Sequence, residues 1–378
     1  MNRTAARIAP LAVPVSAGGR QLLDTIFREG GISQAALTRR LGLAQPTVAR
    51  LLQGYVGAGL VTLEARKVDR PGHPSATARI DPSFASSLGA AILNDVVSLT
   101  LLDCAGGVLG ERRAAMPDAT RDGVVATLRD FRDVLVRESG VDPQRILGLG
   151  VGISAFFTGD GGKMVGPPAL EDWTMIEIAP FLEEALGLPT IVENDGAAGA
   201  VGESLFGVGR TVRDFAYLHL TNGFGGGIVS DGRLFRGARG NAGEFGGIWT
   251  VGGLGYPNLD RMLTLVREGG ATFADVETML PAIDAATPGV TRWLDEAVPA
   301  FATLAAILGY AIDPQAVVIG GRLPVGIADA LLARIAPPRA PNRHGAAPPA
   351  PLVMRSQVIG DAVALGAAIM PIQRAFLA

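Results

Sequence analysis

The chain has 378 residues, of which 48% are hydrophobic and 18% charged, with a formal net charge of −3. This is the composition of a folded globular protein, and at roughly 150 residues per domain the length predicts two or three units. No stretch of about 18 uninterrupted apolar residues occurs, and the first apolar run is short and broken by Pro10 and Pro14. Neither a membrane span nor a secretion signal is therefore expected, and the expected location is cytoplasmic. Cys104 stands alone, which excludes an intrachain disulfide and a cysteine-built zinc site and suits a small buried filler.

Charge is unevenly spread. Residues 1–82 hold eleven Lys/Arg and five Asp/Glu, a net +6 that leaves −9 for the remainder. A basic head on an acidic body fits a DNA-binding segment joined to a ligand domain, and chance scatter of solvated charges is the alternative.

In the head, Leu22, Leu23, Ile26 and Phe27 recur at helical spacing, and Gly30-Gly31 closes that helix. Ser33 is the expected N-cap of a second helix ending at Leu41, with Leu37 and Leu41 inward and Gly42 as its stop. A third helix runs from Ala44 to Tyr55, with Pro46 in its first turn and Val48, Leu52 and Val56 inward, which leaves Gln45, Thr47 and Arg50 facing out. Ala44 offers no capping oxygen, a weakness of about 1 kcal/mol that packing can supply. Strands at 59–63 and 75–80 then form a wing whose tip carries Arg66, Lys67, Arg70 and His73.

Two helices across a tight glycine turn, the second presenting Gln, Thr and Arg, form the geometry that enters a major groove. The expected DNA-binding residues are Ser33, Gln45, Thr47, Arg50, Arg70 and His73, with Gln45 and Arg50 on base edges and the wing on the backbone or minor groove. A three-helix module that only dimerises is the competing reading.

The body begins as a meander of strands at 88–93, 96–103 and 108–115 and continues with a helix at 121–139, a strand at 146–153, a helix at 174–187, a strand at 189–193 and a helix at 196–206. After residue 210 the plan repeats with strands at 214–220, 226–230 and 233–236, then helices and a buried strand at 316–320. This repetition predicts an α/β fold of two actin-like, ribonuclease-H-like lobes around a cleft. The expected divisions are 1–82 for the winged helix-turn-helix, 83–200 for the first lobe and 201–359 for the second, with the apolar helix at 360–378 returning to the first lobe. The Pro-rich stretch 336–351, with His344, reads as a surface loop before a strand.

Several short motifs then appear in one order: Val192-Glu-Asn-Asp195, Leu220-Thr-Asn-Gly-Phe-Gly-Gly-Gly-Ile228, Asp231-Gly232, Gly240-Asn-Ala-Gly-Glu-Phe-Gly246, Asp313-Pro-Gln-Ala-Val-Val-Ile-Gly-Gly321 and Gly360-Asp-Ala-Val-Ala-Leu-Gly366. Over residues 17–378 the chain resembles the ROK family of repressors, open reading frames and kinases, in its repressor form. The resemblance implies a sugar-kinase fold, Asp195 at the position of the catalytic base, sugar contacts from Asn194 and Glu244, and a glycine turn at Gly223 and Gly225. A helix cap is the structural alternative for the Asn-Asp pair, and a tight crossing between lobes is the alternative for the glycines.

Phosphoryl transfer needs a base, backbone amides around phosphate and a carboxylate-held magnesium ion. The turn Ala91-Ile-Leu-Asn-Asp95 lacks the family kinases' Asp-x-Gly-x-Thr pattern, and Asn222 replaces their Thr. The zinc-contacting His is Gly247, and the Cys-rich segment after it is replaced by Ile248 to Asp260. The chain is therefore expected to bind sugar without phosphorylating it, with Asp195 a vestigial base, no cofactor and no metal. Expected partners are operator DNA, a sugar effector and further copies of the chain as a homodimer or homotetramer. The absent His points to a sugar unlike those of zinc-bearing relatives, or a phosphorylated or oligomeric one. The alternatives are a ROK-type kinase with residual activity and a DNA-binding protein whose body only dimerises.

Overall fold

The computed structural model describes residues 13–64, 76–116 and 119–378. In the head, α1 (Ala17–Glu29) starts where the Ser16 hydroxyl accepts from the Gly19 amide and ends at Gly30, whose φ of 62° turns the chain out of the helix. Strand β1 (Ile32–Ser33), α2 (Gln34–Leu41), α3 (Gln45–Gly57), β2 (Val61–Glu64) and β3 (Thr77–Ile80) complete a winged helix-turn-helix with the sheet order β1-β3-β2. Leu22, Leu23, Ile26, Leu37, Val48 and Leu52 meet in its core, as their helical spacing requires. The wing tip, with Arg66, Lys67, Arg70 and His73, lies outside the described residues.

The first lobe opens with β4 (Ser86–Ile92), β5 (Val96–Asp103) and β6 (Val108–Ala115), followed by α4 (Arg121–Ser139) and β7 (Ile146–Ile153). A small hairpin, β8 (Phe156–Phe157) and β9 (Met164–Val165), comes next, then α5 (Ile178–Leu186), β10 (Thr190–Asn194) and α6 (Asp195–Phe206). The sheet order is β10-β7-β4-β5-β6, with β4, β7 and β10 parallel. The helix expected over 174–187 begins late because Met175 adopts a φ of 58°, against helical geometry. Before it, 168–173 forms only a tight 3-10 turn.

The second lobe repeats the plan with β11 (Phe215–Leu220), β12 (Phe224–Ser230) and β13 (Arg233–Phe235), then α7 (Gly246–Val251), α8 (Leu259–Glu268), α9 (Val276–Met279), α10 (Val290–Ile312), β14 (Ala316–Gly321), α11 (Val325–Leu332) and β15 (Leu352–Arg355). Its order, β13-β12-β11-β14-β15, is the same as that of the first sheet, β6-β5-β4-β7-β10, strand for strand. Among the described residues α10 alone is long and apolar enough to cross a membrane. Its Trp293, Leu294, Phe301, Leu304 and Leu308 lie instead in the core of the second lobe.

The last helix, α12 (Ala362–Phe376), crosses α6 beneath the cleft and lies against β4 and β7. This crossing requires glycine: a Cβ at Gly366 would collide with the Ala198 carbonyl, and one at Gly150 with the Ala367 carbonyl. The head docks on the far ends of the same two helices. Arg20 donates to the carbonyls of Leu377 at 2.9 Å and Gln373 at 3.3 Å, Arg28 donates to Gly232 at 3.0 Å, and Phe27 meets Phe206 edge to face at 6.4 Å. Head and body share one apolar cluster that joins Leu22 and Ile26 to Val201, Leu205 and Phe376.

Candidate functional site

Three of the residues singled out in the body converge where β10 passes into α6. Asn194 caps α6, its side-chain oxygen accepting from the Ala197 amide at 3.0 Å, while its amide nitrogen donates to the Ala155 carbonyl at 3.0 Å and to Glu244 Oε1 at 3.3 Å. The capping alternative is therefore real for Asn194, and the same side chain also reaches across the cleft to the second lobe. Asp195 is buried, with one oxygen accepting from the Gly196 amide at 2.7 Å and the other from the Ser154 hydroxyl. His219 Nε2 stands 3.8 Å from the second oxygen, too far for a direct hydrogen bond.

These side chains line a cavity of about 290 Å³ between the lobes, with Ser154, Phe156, His219, Gly223, Phe224 and Tyr256 among its walls. Partial desolvation where the lobes meet, together with the negative charge of Asp195, raises the Glu244 carboxyl to about 7, while its side chain stays open to solvent on one side. Burial lowers the pKa of His219, favouring its neutral form. The result is a cleft with two carboxylates, an amide and a hydroxyl, suited to accepting and donating hydrogen bonds with a polyhydroxylated ligand.

The Glu244 shift sets a pH dependence. A ligand whose hydroxyls donate to the ionised carboxylate favours that form, so binding releases a proton and tightens as pH rises from 6 to 8. Titration calorimetry in buffers of different ionisation enthalpy should detect the proton, and Glu244→Gln should abolish it. A pH-independent wild type would remove Glu244 from the binding set.

The glycine segment divides by role. A Cβ at Gly226 would strike the Tyr217 carbonyl, and one at Gly227 would strike Ala200, so these two permit β12 to lie on β11 and α6. Gly223 meets nothing within 4 Å, and Gly225 only the Gly243 carbonyl at 4.0 Å. Packing accounts for the first pair, whereas the second pair borders the cavity.

On the other side of the cleft, the β4–β5 turn is a tight Asn94-Asp95 reversal, with the Leu93 amide donating to the Val96 carbonyl at 2.9 Å. Asp95 pairs with Arg322 at 2.7 Å, Arg322 also binds Asn222 Oδ1 at 3.0 Å and the Glu277 carboxylate, and Glu277 pairs with Arg113 at 2.6 Å. Two first-lobe residues, Asp95 and Arg113, are thus clasped to two second-lobe residues, Arg322 and Glu277. Arg322 is thus matched by two carboxylates. Arg322→Ala leaves Asp95 nearly buried without its partner and should cost about 2–4 kcal/mol in urea denaturation. Asp95→Asn combined with Arg322→Met should cost clearly less, and equal losses would show that the clasp is not coupled.

The segment Ile248 to Asp260 folds around an aromatic cluster. Trp249 stacks on Phe224 at 3.6 Å and meets Phe301 at 5.0 Å and Tyr256 at 5.8 Å. Gly247, at the position of the zinc-contacting His, is exposed with nothing near its Cα hydrogens.

In the head, Arg50 and Gln45 are exposed and Thr47 half-buried, on the side of α3 opposite Val48, Leu52 and Tyr55. Gln53 is exposed one turn beyond Arg50 and was not singled out in the sequence. The Ser33 hydroxyl accepts from the Ala36 amide at 3.3 Å as the cap of α2. Ser154, Phe156, His219, Tyr256 and Arg322 were likewise missed. His219 left a trace, as a polar residue inside the apolar run Phe215–Leu220.

The ROK family matches residues 92–254, and a winged helix-turn-helix DNA-binding family matches residues 19–62. The xylose repressor of Caldicellulosiruptor bescii is 28% identical over 226 residues, 60% of this chain and 56% of that protein, so the match spans just over half of that relative. The N-acetylmannosamine kinase of Citrobacter koseri is 30% identical over 220 residues, 55% of this chain and 73% of the kinase. Among solved structures, a ROK family transcriptional regulator homologous to the Escherichia coli MLC protein aligns over 95% of both chains, with a TM-score of 0.66 at 20% identity.

Proposed function

This chain belongs to the ROK family, and from the head it carries and the cavity its lobes enclose we propose that it is a sugar-responsive DNA-binding repressor of carbohydrate genes. One observation carries the reading: a DNA-binding head is packed onto the end of α6, the helix that begins in the cavity, and onto the end of α12, which crosses α6. The head is the part a sugar kinase has no use for. Similarity to a xylose repressor supports the repressor class, and xylose and saccharides that contain it are accordingly the first effectors to try.

Helix α6 is the direct link. It begins at Asp195 in the cavity and ends at Phe206 against Phe27 of α1, a path of about 18 Å along a helix buried from Asp195 to Leu205. Sugar bound between Asp195 and Glu244 pulls the lobes together, and a shift of α6 re-aims α1 and the helix-turn-helix. Such coupling requires the sugar to bind the two arrangements with different affinity. In a homodimer or homotetramer the shift changes the spacing of two recognition helices set about one DNA turn apart. Arg50 and Gln45 read base edges, Thr47 contacts a phosphate or a thymine methyl, Ser33 supports the backbone contact, the wing residues Arg70 and His73 reach the backbone or minor groove, and the protein works in the cytoplasm where its operator lies.

Asp195 acts as a hydrogen-bond acceptor for sugar and not as a base, because the β4–β5 turn lacks the family kinases' Asp-x-Gly-x-Thr pattern. The test is selection of genomic DNA fragments by the purified full-length protein at near-physiological salt, where non-specific phosphate binding weakens steeply. Enrichment of a two-fold symmetric site near sugar transport or glycosidase genes is expected. No enrichment, with measurable ATP-dependent sugar phosphorylation, would favour the kinase alternative.

A further inference from the structure

Phe156 and Tyr256 flank the sugar cavity from opposite lobes, yet they remain 46% and 40% exposed. Large apolar side chains left in water at the rim of a polar cavity mark a surface that a ligand covers. Phe156 is held there by its strand. In the β8–β9 hairpin, Phe157 and Met164 pair and pack inward with the first-lobe core, so the alternate pair, Phe156 and Val165, faces the cavity.

The hairpin is also fixed across the cleft. The Phe157 amide donates to Asn241 Oδ1 at 2.8 Å, and Asn241 Nδ2 donates to the Phe157 carbonyl at 2.7 Å. Tyr256 is fixed by the aromatic cluster around Trp249. The polar floor at Asp195 and Asn194 and the aromatic rim are thus two differently built parts of one cavity.

We infer that the rim formed by Phe156 and Tyr256 is a second saccharide subsite, so that the effector is a glycoside or oligosaccharide and not a free monosaccharide. This rests on the sugar-responsive reading above and names its ligand class. A pyranose ring has an apolar C–H face and a polar edge; the terminal unit places its hydroxyls on Asp195, Asn194 and Glu244, and the next unit lays its C–H face on the aromatic rim. A phosphorylated sugar is disfavoured by the same walls, since among the described residues the lining holds the carboxyls of Asp195 and Glu244 and neither lysine nor arginine. Charge and shape together select an uncharged second ring.

Titration calorimetry on the full-length protein would compare xylose and glucose with xylobiose, cellobiose, maltose, sucrose and the phenyl glycosides of both monosaccharides, with glucose 6-phosphate added. At least one glycoside or disaccharide should bind about tenfold or more tightly than its parent monosaccharide. Phe156→Ala should lower that affinity about three- to tenfold and weaken monosaccharide binding by a clearly smaller factor, and Tyr256→Ala should act in the same direction. Monosaccharides binding as tightly as their glycosides, or both classes weakened equally by Phe156→Ala, would overturn the inference and leave the sugar-responsive reading standing. Preferential binding of glucose 6-phosphate would do the same. Failure of every probe to bind would overturn both.

Discussion

Asp195→Asn is expected to weaken sugar binding about a hundredfold while the protein continues to hold its DNA. The carboxylate is buried at the floor of the cavity, and among the described residues the second oxygen's partners there are the Ser154 hydroxyl and, more distantly, His219. Hydrogen bonds to a charged group are worth about 1.5–3 kcal/mol each, so loss of the charge costs at least tenfold per sugar hydroxyl it accepts. Asn keeps the shape and an oxygen for the Gly196 amide, so the start of α6 survives. Calorimetry should therefore show sugar affinity reduced about a hundredfold, with thermal stability and operator affinity near wild type. A variant that lost both affinities together would mean that Asp195 serves the fold alone, as a helix-start residue.

Arg50→Ala should produce the opposite separation. Arg50 projects from the exposed face of α3 without an ion-pair partner among the described residues, and truncating it removes no packing. An arginine reading a base edge contributes about 1–3 kcal/mol of discrimination, which predicts a fall of roughly 5- to 150-fold for the selected operator. Affinity for unrelated DNA should change much less, and sugar binding not at all. Arg334→Ala, on the second lobe and paired with Asp295, is the matched control and should leave DNA binding unaltered. A uniform loss across all sequences would reassign Arg50 to the phosphate backbone.

The elements were legible in the sequence wherever periodicity was strong. The helices of the head carry an apolar stripe closed by glycines, the first meander alternates between Gly- and Asp-bearing turns, and Asp231-Gly232 reverses β12 into β13 with positive φ at both residues. The convergence of Asn194, Asp195 and Glu244 was legible through the family resemblance, because hydrogen bonding across fifty residues leaves no local pattern. What escaped was tertiary by nature. Phe156 lies on a two-residue strand too short to show alternation, Tyr256 owes its place to a cluster assembled from three elements, and Arg322 pairs with Asp95 across 227 residues. The late start of α5 escaped because a positive φ at Met175 has no signal in a side chain that ordinarily favours helix.

The central claim, that the cavity and the DNA-binding head act on one another, is tested most directly by one titration. An operator fragment recovered from the genomic selection would be labelled and its affinity for the full-length protein measured by anisotropy with and without saturating effector, alongside the effector's affinity with and without operator. Linkage predicts that the two ratios are equal and differ from one, with a coupling of about 1–3 kcal/mol, or roughly 5- to 150-fold. An operator affinity untouched by a sugar that demonstrably fills the cavity would contradict the account and leave the two parts as independent domains.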